Sequence, residues 1–302
     1  MKRKPIDLTG LRHLYPFTSH YLDIDGLKYH YVDEGSGEPI VMVHGNPTWS
    51  FYFREMIKAL SPYYRTIVPD HIGCGLSDKP GGNSYNYRLK NRVDDIEALI
   101  EHLGIKEKMT LVLHDWGGFI GMAYAVRHPD RIGRLVILNT AAFLPPADKS
   151  LPRILEFIRV LKPLAAIAVL GFNLFARGAL VKCSYKGLQG DVKSGLIAPY
   201  NCWGNRIATL KFVQDIHLTD ENPSYATVEQ LGNNLEIFSA LPTLICWGEH
   251  DFVFDLDYLG EWRRRFPDAE VHRFPDAGHY VLEDVSEKII PLVKDFLKRH
   301  RP

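Results

Sequence analysis

Strand-like and helix-like segments alternate through the first half of this 302-residue chain, and that alternation constrains the fold more than any other feature. Leu27–Val32, Ile40–Val43, Thr66–Val68, Met109–Leu113 and Leu135–Leu138 are short apolar or alternating runs that read as strands. Between them, Arg54–Leu60, Arg92–Leu103 and Gly118–Arg127 carry helical spacing. This order builds a mostly parallel sheet with helices on both faces. The rhythm stops at Phe143. From there to about Thr219 no strand signal occurs, and Pro145-Pro146 opens a series of apolar, helix-like stretches. Strands return at Thr243–Cys246 and Val271–Phe274, and a last helix is predicted over Val285–Lys298. The chain therefore reads as an α/β core in two parts, 1–143 and 220–302, interrupted by a helical cap at 144–219.

Charge and cysteine content narrow the class. Lys plus Arg is 36 and Asp plus Glu is 36, so there is no basic excess of the kind that grips nucleic acid. Cys74, Cys183, Cys202 and Cys246 form no CxxC pair, and no HExxH run occurs, so no metal site is expected. Gly73-Cys74-Gly75 is followed by Asp78, which breaks the dinucleotide fingerprint, and no cofactor is expected. Met1–Lys4 is basic but no apolar export segment follows it, and with scattered cysteines this predicts a cytoplasmic protein. The greasiest run, Leu164–Ala176, has 13 residues, short of the about 20 that a membrane span needs.

The chemistry concentrates in Thr110–Gly121, TLVLHDWGGFIG. A strand ends, a sharp turn carries Asp115, and Gly117-Gly118 open a helix. A turn of this kind exposes one side chain at the carboxyl edge of a sheet, where the helix N-terminus favours negative charge. An aspartate before a helix ordinarily serves as its cap. Three other segments argue for more. His44-Gly45-Asn46-Pro47 follows one strand, Asp251 follows another, and Asp276-Ala277-Gly278-His279-Tyr280 follows a third. Asp115, Asp251 and His279 then stand in the order nucleophile, acid, histidine, all just beyond strand ends where open α/β sheets place their sites. His44 and His114 are read as shaping loops, and Arg263–Arg265 as a solvated helix face.

With HGNPTWSF (44–51), DHIGCGLSDKP (70–80), HDWGG (114–118) and DAGHY (276–280), the chain resembles haloalkane dehalogenase-type α/β-hydrolases over essentially its whole length. The resemblance implies Asp115 as nucleophile, His279 as base or proton shuttle and Asp251 as the acid that orients it. Position 139 is Asn, where another branch of the family has its Glu. It also implies that the backbone amides of Asn46 and Trp116 form the oxyanion hole, while their side chains hold a leaving anion.

Two chemistries occur in this branch: hydrolytic dehalogenation, and decarboxylation of cis-3-alkyl-4-alkyl-oxetan-2-ones (β-lactones) to long-chain cis alkenes. HGNPTWSFYFR, DHIGCGLSDKP and the cap stretch NRIATLKFVQDI look more like the decarboxylases, and the lyase reading is favoured over the hydrolase one. The apolar segment Leu151–Val181 fits a small hydrophobic substrate with long alkyl chains, each buried methylene contributing about 0.8 kcal/mol. The same segment, flanked by Arg159, Lys162, Arg177 and Lys182, also reads as a surface for membrane or partner contact. The resemblance further implies a multi-enzyme olefin-biosynthesis assembly. An epoxide hydrolase is the remaining alternative. It shares HGxP and HDWGG but usually has Gly where this chain has Leu113, and it needs two cap tyrosines, for which Tyr185, Tyr200 and Tyr225 are the candidates.

Overall fold

A computed structural model describes residues 4–146, 149–216 and 219–301. Eight strands form one sheet in the order β1-β2-β4-β3-β5-β6-β7-β8. They are β1 (His20–Ile24), β2 (Leu27–Glu34), β3 (Pro39–Val43), β4 (Arg65–Pro69), β5 (Met109–Asp115), β6 (Ile132–Thr140), β7 (Thr243–Gly248) and β8 (Glu270–Phe274). The contacts β1–β2 and β2–β4 are antiparallel and the rest are parallel. β3, β5, β6 and β7 are buried at every residue, as expected of interior parallel strands covered on both faces.

The alternation of each strand sorts its side chains between two apolar layers. Val41, Val43, Leu111, Leu113, Ile137 and Ile245 pack into a layer with α2 (Leu89–His102) and α3 (Trp116–Arg127). Ile40, Met42, Val112, Val136, Leu138 and Leu244 face the other way, onto α1 (Arg54–Leu60) and α11 (Val281–Arg299). Within α11, Val285, Ile289, Val293 and Phe296 recur at helical spacing on the buried side. The backbone at Val285 leaves helical geometry, so a first turn bends there into the helix that the periodicity predicts.

Two expectations needed adjusting. β1 was not foreseen, because HYLDI is an edge strand with no buried residue and little apolar pattern. The second helix begins at Leu89 rather than Arg92.

Between β6 and β7 the described chain is helical, with no strand. It contains α4 (Arg153–Val160), α5 (Lys162–Ala166) leading into a π-helical turn at Ile167–Gly171, α6 (Leu174–Lys182), α7 (Gly190–Ile197), α8 (Ile207–Gln214) and α9 (Tyr225–Asn234). α9 packs on α3, whereas α4 packs on α8 with a small apolar cluster of its own around Leu155, Ile158, Val169 and Leu210. The greasy run is broken at Asn173, which takes left-handed backbone with φ 57°, and the helical segments either side meet at 72°. No single helix among the described residues is long and apolar enough to cross a membrane.

Two buried carboxylates tie this helical segment to the core. Asp215 accepts from Arg88 Nη1 at 2.8 Å, the Leu89 amide at 2.8 Å and Ser224 Oγ at 2.9 Å. Asp284 accepts from Ser184 Oγ at 2.6 Å and from the amides of Tyr185, Lys186 and Gly278 at 2.9, 3.0 and 2.8 Å. The second cluster joins the end of α6 to the loop that carries His279. β7 leads through Asp251 into α10 (Leu256–Arg265), which completes the element order. Of the arginines on α10, Arg265 is not simply solvated: it donates to the Gly232 carbonyl and lies over the Phe143 ring.

Candidate active site

Asp115 sits at the junction of β5 and α3 with φ 51° and ψ −127°, a backbone region that non-glycine residues rarely occupy. The surroundings hold it there. Thr140 Oγ1, at the end of the neighbouring β6, donates to the Asp115 carbonyl. The helix can start this close to the sheet because Gly117 has no side chain: a Cβ there would lie 1.9 Å from the Val43 carbonyl oxygen. Gly45 serves the same purpose on the other side, where a Cβ would lie 2.4 Å from that of Asp115.

The three residues predicted to act together meet. His279 Nε2 lies 3.1 Å from Asp115 Oδ2, and His279 Nδ1 lies 2.8 Å from Asp251 Oδ2. All three side chains are nearly removed from solvent. Carboxylate oxygens only accept, so a ring that bonds both carboxylates donates from both nitrogens and is the imidazolium. Burial alone would lower the His279 pKa. The negative charge of Asp251 and the hydrogen bonds to both carboxylates reverse that and hold it up to about 10.

Asp251 is itself fully used. Its Oδ1 accepts from the amides of Val253 at 2.7 Å and Phe254 at 3.0 Å, and its Oδ2 accepts from Asn139 Nδ2 at 3.0 Å as well as from His279. Asn139 is locked in turn by Gly248, whose amide donates to its Oδ1 at 2.8 Å and whose carbonyl accepts from its Nδ2 at 3.0 Å. The Phe254 ring stacks on His279 with centroids 6.0 Å apart. Sequence reasoning noted Asn139 only as the absence of a carboxylate. Its positioning contacts, those of Thr140, and the stacked Phe254 carry no spacing signal and were missed.

The neighbouring histidines are structural. His114 Nε2 donates to the His279 carbonyl at 2.8 Å, and burial keeps its pKa well below the usual value. His44 Nδ1 donates to the Gly45 carbonyl at 2.7 Å and its Nε2 accepts from the His71 amide at 3.1 Å. Burial lowers its pKa as well. Both are therefore neutral braces for the two loops.

Asn46 and Trp116 both reach the wall of the cavity above Asp115. The Trp116 amide, expected from the sequence as an oxyanion donor, donates here to Asp115 Oδ1. Asn46 Nδ2 donates to the Thr209 carbonyl at 3.1 Å, which fixes the side chain against α8 and leaves one amide hydrogen uncommitted. Its Oδ1 is buried with no hydrogen-bond partner among the described residues.

The cavity has a volume of about 800 Å³, toward the top of the range of about 300–1,000 Å³ for small-molecule sites. Its floor is Asp115, Trp116 and His279, and its walls include Leu155, Phe157, Ile158, Val169 and Phe175 from the cap helices. Phe252, Val253, Phe254 and Tyr258, beyond Asp251, close the opposite side. Of the three tyrosines considered as cap donors, Tyr185 lines the cavity, stacked on His250 at 4.0 Å. Tyr200 is buried against the Thr48 carbonyl, and neither it nor Tyr225 belongs to the cavity wall. Of the three candidate tyrosines, the cavity wall therefore holds one.

A fold of this strand order, with a nucleophile elbow after β5 and a helical insertion after β6, defines a class. The chain belongs to the α/β-hydrolase family, whose model matches residues 38–171 and 189–285. It is 51% identical over 289 residues to a cis-3-alkyl-4-alkyloxetan-2-one decarboxylase of Shewanella oneidensis, covering 94% of this chain and 89% of that one. It is 42% identical to the decarboxylase of the same name from Xanthomonas campestris, covering 95% and 98% of the two chains. A haloalkane dehalogenase of Mycobacterium tuberculosis is 33% identical, over 94% of this chain and 96% of that one. Among solved structures, the haloalkane dehalogenase DatA of Agrobacterium tumefaciens superposes with a TM-score of 0.83 at 26% identity, covering 93% of this chain and 96% of that one.

Proposed function

We propose that this protein is a cis-3-alkyl-4-alkyl-oxetan-2-one decarboxylase that releases a long-chain cis alkene and carbon dioxide. The observation that carries the reading is the cavity: an apolar chamber built mainly by the cap ends on the Asp115 carboxylate. Its volume of about 800 Å³ leaves room for alkyl chains, and each methylene moved from water into it contributes about 0.8 kcal/mol. The decarboxylase relatives at 51% and 42% identity support the same substrate.

The residues account for the chemistry without a water molecule. Asp115, ionised and paired with the His279 imidazolium, attacks the ring carbon that bears the alkoxy oxygen. The ring C–O bond breaks, an ester to Asp115 forms with inversion, and the freed carboxylate stays on the adjacent carbon. His279 and the neutral donors of Asn46 and Trp116 receive that new anion as Asp115 gives up its own charge. The bond to the carboxylate carbon then breaks, its electron pair forms the alkene, and the Asp115 ester oxygen departs with the electrons of the C–O bond. Carbon dioxide leaves and the Asp115–His279 ion pair is restored. Inversion followed by anti elimination keeps a cis lactone as a cis alkene. Asp251 keeps His279 charged and in orientation throughout.

We propose a cytoplasmic location, which the scattered cysteines without a CxxC pair support. A competition assay tests the function. Purified protein is given a long-chain cis β-lactone and a long-chain 1-bromoalkane together, and alkene, alcohol and bromide are quantified. Alkene with little bromide is expected. Bromide and alcohol without alkene would make the protein a dehalogenase, like its relatives at 33% identity.

A further inference from the structure

The cap presents a large apolar surface to the outside. Val160, Leu164, Ile167 and Phe172 are 65%, 57%, 51% and 64% exposed, although they sit beside residues that wall the cavity. They cluster on α4, α5, the π-helical turn and the bend before α6, because the 72° break at Asn173 folds one apolar run back across the cap. Arg206 pins the bend by donating to the Leu170 and Gly171 carbonyls at 2.7 and 2.8 Å. Contiguous greasy surface of this kind is costly in water and marks a contact site.

Charge says which contact. The chain is neutral as a whole, yet residues 153–186 hold six basic side chains and a single acidic one, Glu156. Lys162, Arg177 and Lys182 are exposed, and none forms an ion pair with a described residue. A small polar cleft of about 220 Å³ beside this face is lined by Lys162, Lys211 and Arg88. An apolar surface with a basic rim matches a bilayer that carries anionic headgroups. The cavity opens here too, since Ile154 and Leu174 are both exposed and part of its wall.

We propose that the face formed by α4, α5 and the start of α6 docks on an anionic lipid bilayer, so that the apolar substrate enters the cavity from the membrane and the alkene returns to it. The greasy side chains lie at the headgroup boundary and the basic rim faces lipid phosphates. No helix crosses the bilayer. The docking rests on the lactone reading for its cargo.

The test is flotation of the full-length protein with vesicles of phosphatidylcholine alone or mixed with phosphatidylglycerol, at low and high salt. The wild type is expected to float with the mixed vesicles, at least about tenfold more tightly than with phosphatidylcholine, and to be released by salt. A Leu164→Ser, Ile167→Ser, Phe172→Ser variant is expected to fold with an unchanged melting curve and to bind at least about tenfold more weakly. Lys162→Gln with Arg177→Gln is expected to weaken binding to mixed vesicles only. The proposal fails if the wild type stays behind with both vesicles, or if the serine variant floats as well as the wild type. It also fails if the wild type ignores vesicles and self-associates through a contact that the serine substitutions abolish, which would make a second copy the partner. Binding is read without substrate, so its failure leaves the lactone reading intact. A protein that floats but releases only bromide fails the lactone reading alone.

Discussion

Replacing Asp251 by asparagine keeps the side chain's size and removes one of its two acceptor oxygens. Four donors converge on that carboxylate: the amides of Val253 and Phe254 on Oδ1, and Asn139 Nδ2 and His279 Nδ1 on Oδ2. A carboxamide offers one oxygen, so either orientation sets its NH₂ group against two donors. Losing two buried hydrogen bonds to a charged acceptor, at about 1.5–3 kcal/mol each, predicts a destabilisation of about 3–6 kcal/mol. His279 also loses its stronger carboxylate partner, and its pKa falls from about 10 toward the ordinary 6.5. Pairing stabilises the protonated ring, so its contribution is complete below about 6.5 and is lost as pH rises toward 10. The variant should therefore be most destabilised at neutral and lower pH, with a shallower loss of stability across that window. Urea unfolding at several pH values measures both quantities. A variant within about 0.5 kcal/mol of the wild type at neutral pH, the margin typical of inert surface changes, would refute the donor count.

Other substitutions probe separate parts of the account. Gly117→Ala places a methyl group 1.9 Å from the Val43 carbonyl and should cost about 3 kcal/mol or more, read as a lowered urea midpoint together with lost turnover. Asp284→Ala leaves four donors without their acceptor where the cap meets the His279 loop; it should lower stability by about 3–5 kcal/mol and depress kcat, measured by unfolding and steady-state assay. Phe157→Ala removes part of the cavity wall and should raise KM for long-chain lactones by about tenfold or more while changing short-chain turnover little, as a chain-length series of substrates would show.

Much of this molecule is legible in its sequence because parallel interior strands must be apolar throughout and sit between amphipathic helices. IVMV, TLVLH and TLIC declare themselves on those grounds, whereas the edge strand HYLDI buries nothing and gives no such signal. The meeting of Asp115, Asp251 and His279 was legible because each follows a strand end in one chain order. Its supports were not. Asn139 and Thr140 act through the register that sets β6 beside β5 and β7, and Phe254 acts through the turn after Asp251; both depend on tertiary neighbours. In the cap, apolar content was plain, but the division between cavity wall and exposed face was not. Phe157 and Phe175 turn inward while Leu164 and Phe172 turn outward, which is set by the packing of the cap helices and the bend at Asn173.

The most direct test of the central claim is turnover of a cis dialkyl β-lactone in water bearing heavy oxygen, followed by mass spectrometry of the peptide that contains Asp115 and analysis of the product. Decarboxylation through Asp115 without water predicts cis alkene and an Asp115 carboxylate that stays unlabelled after many turnovers. Label in Asp115, accompanied by a hydroxy acid in place of the alkene, would show that water opens the ester, and would contradict the account.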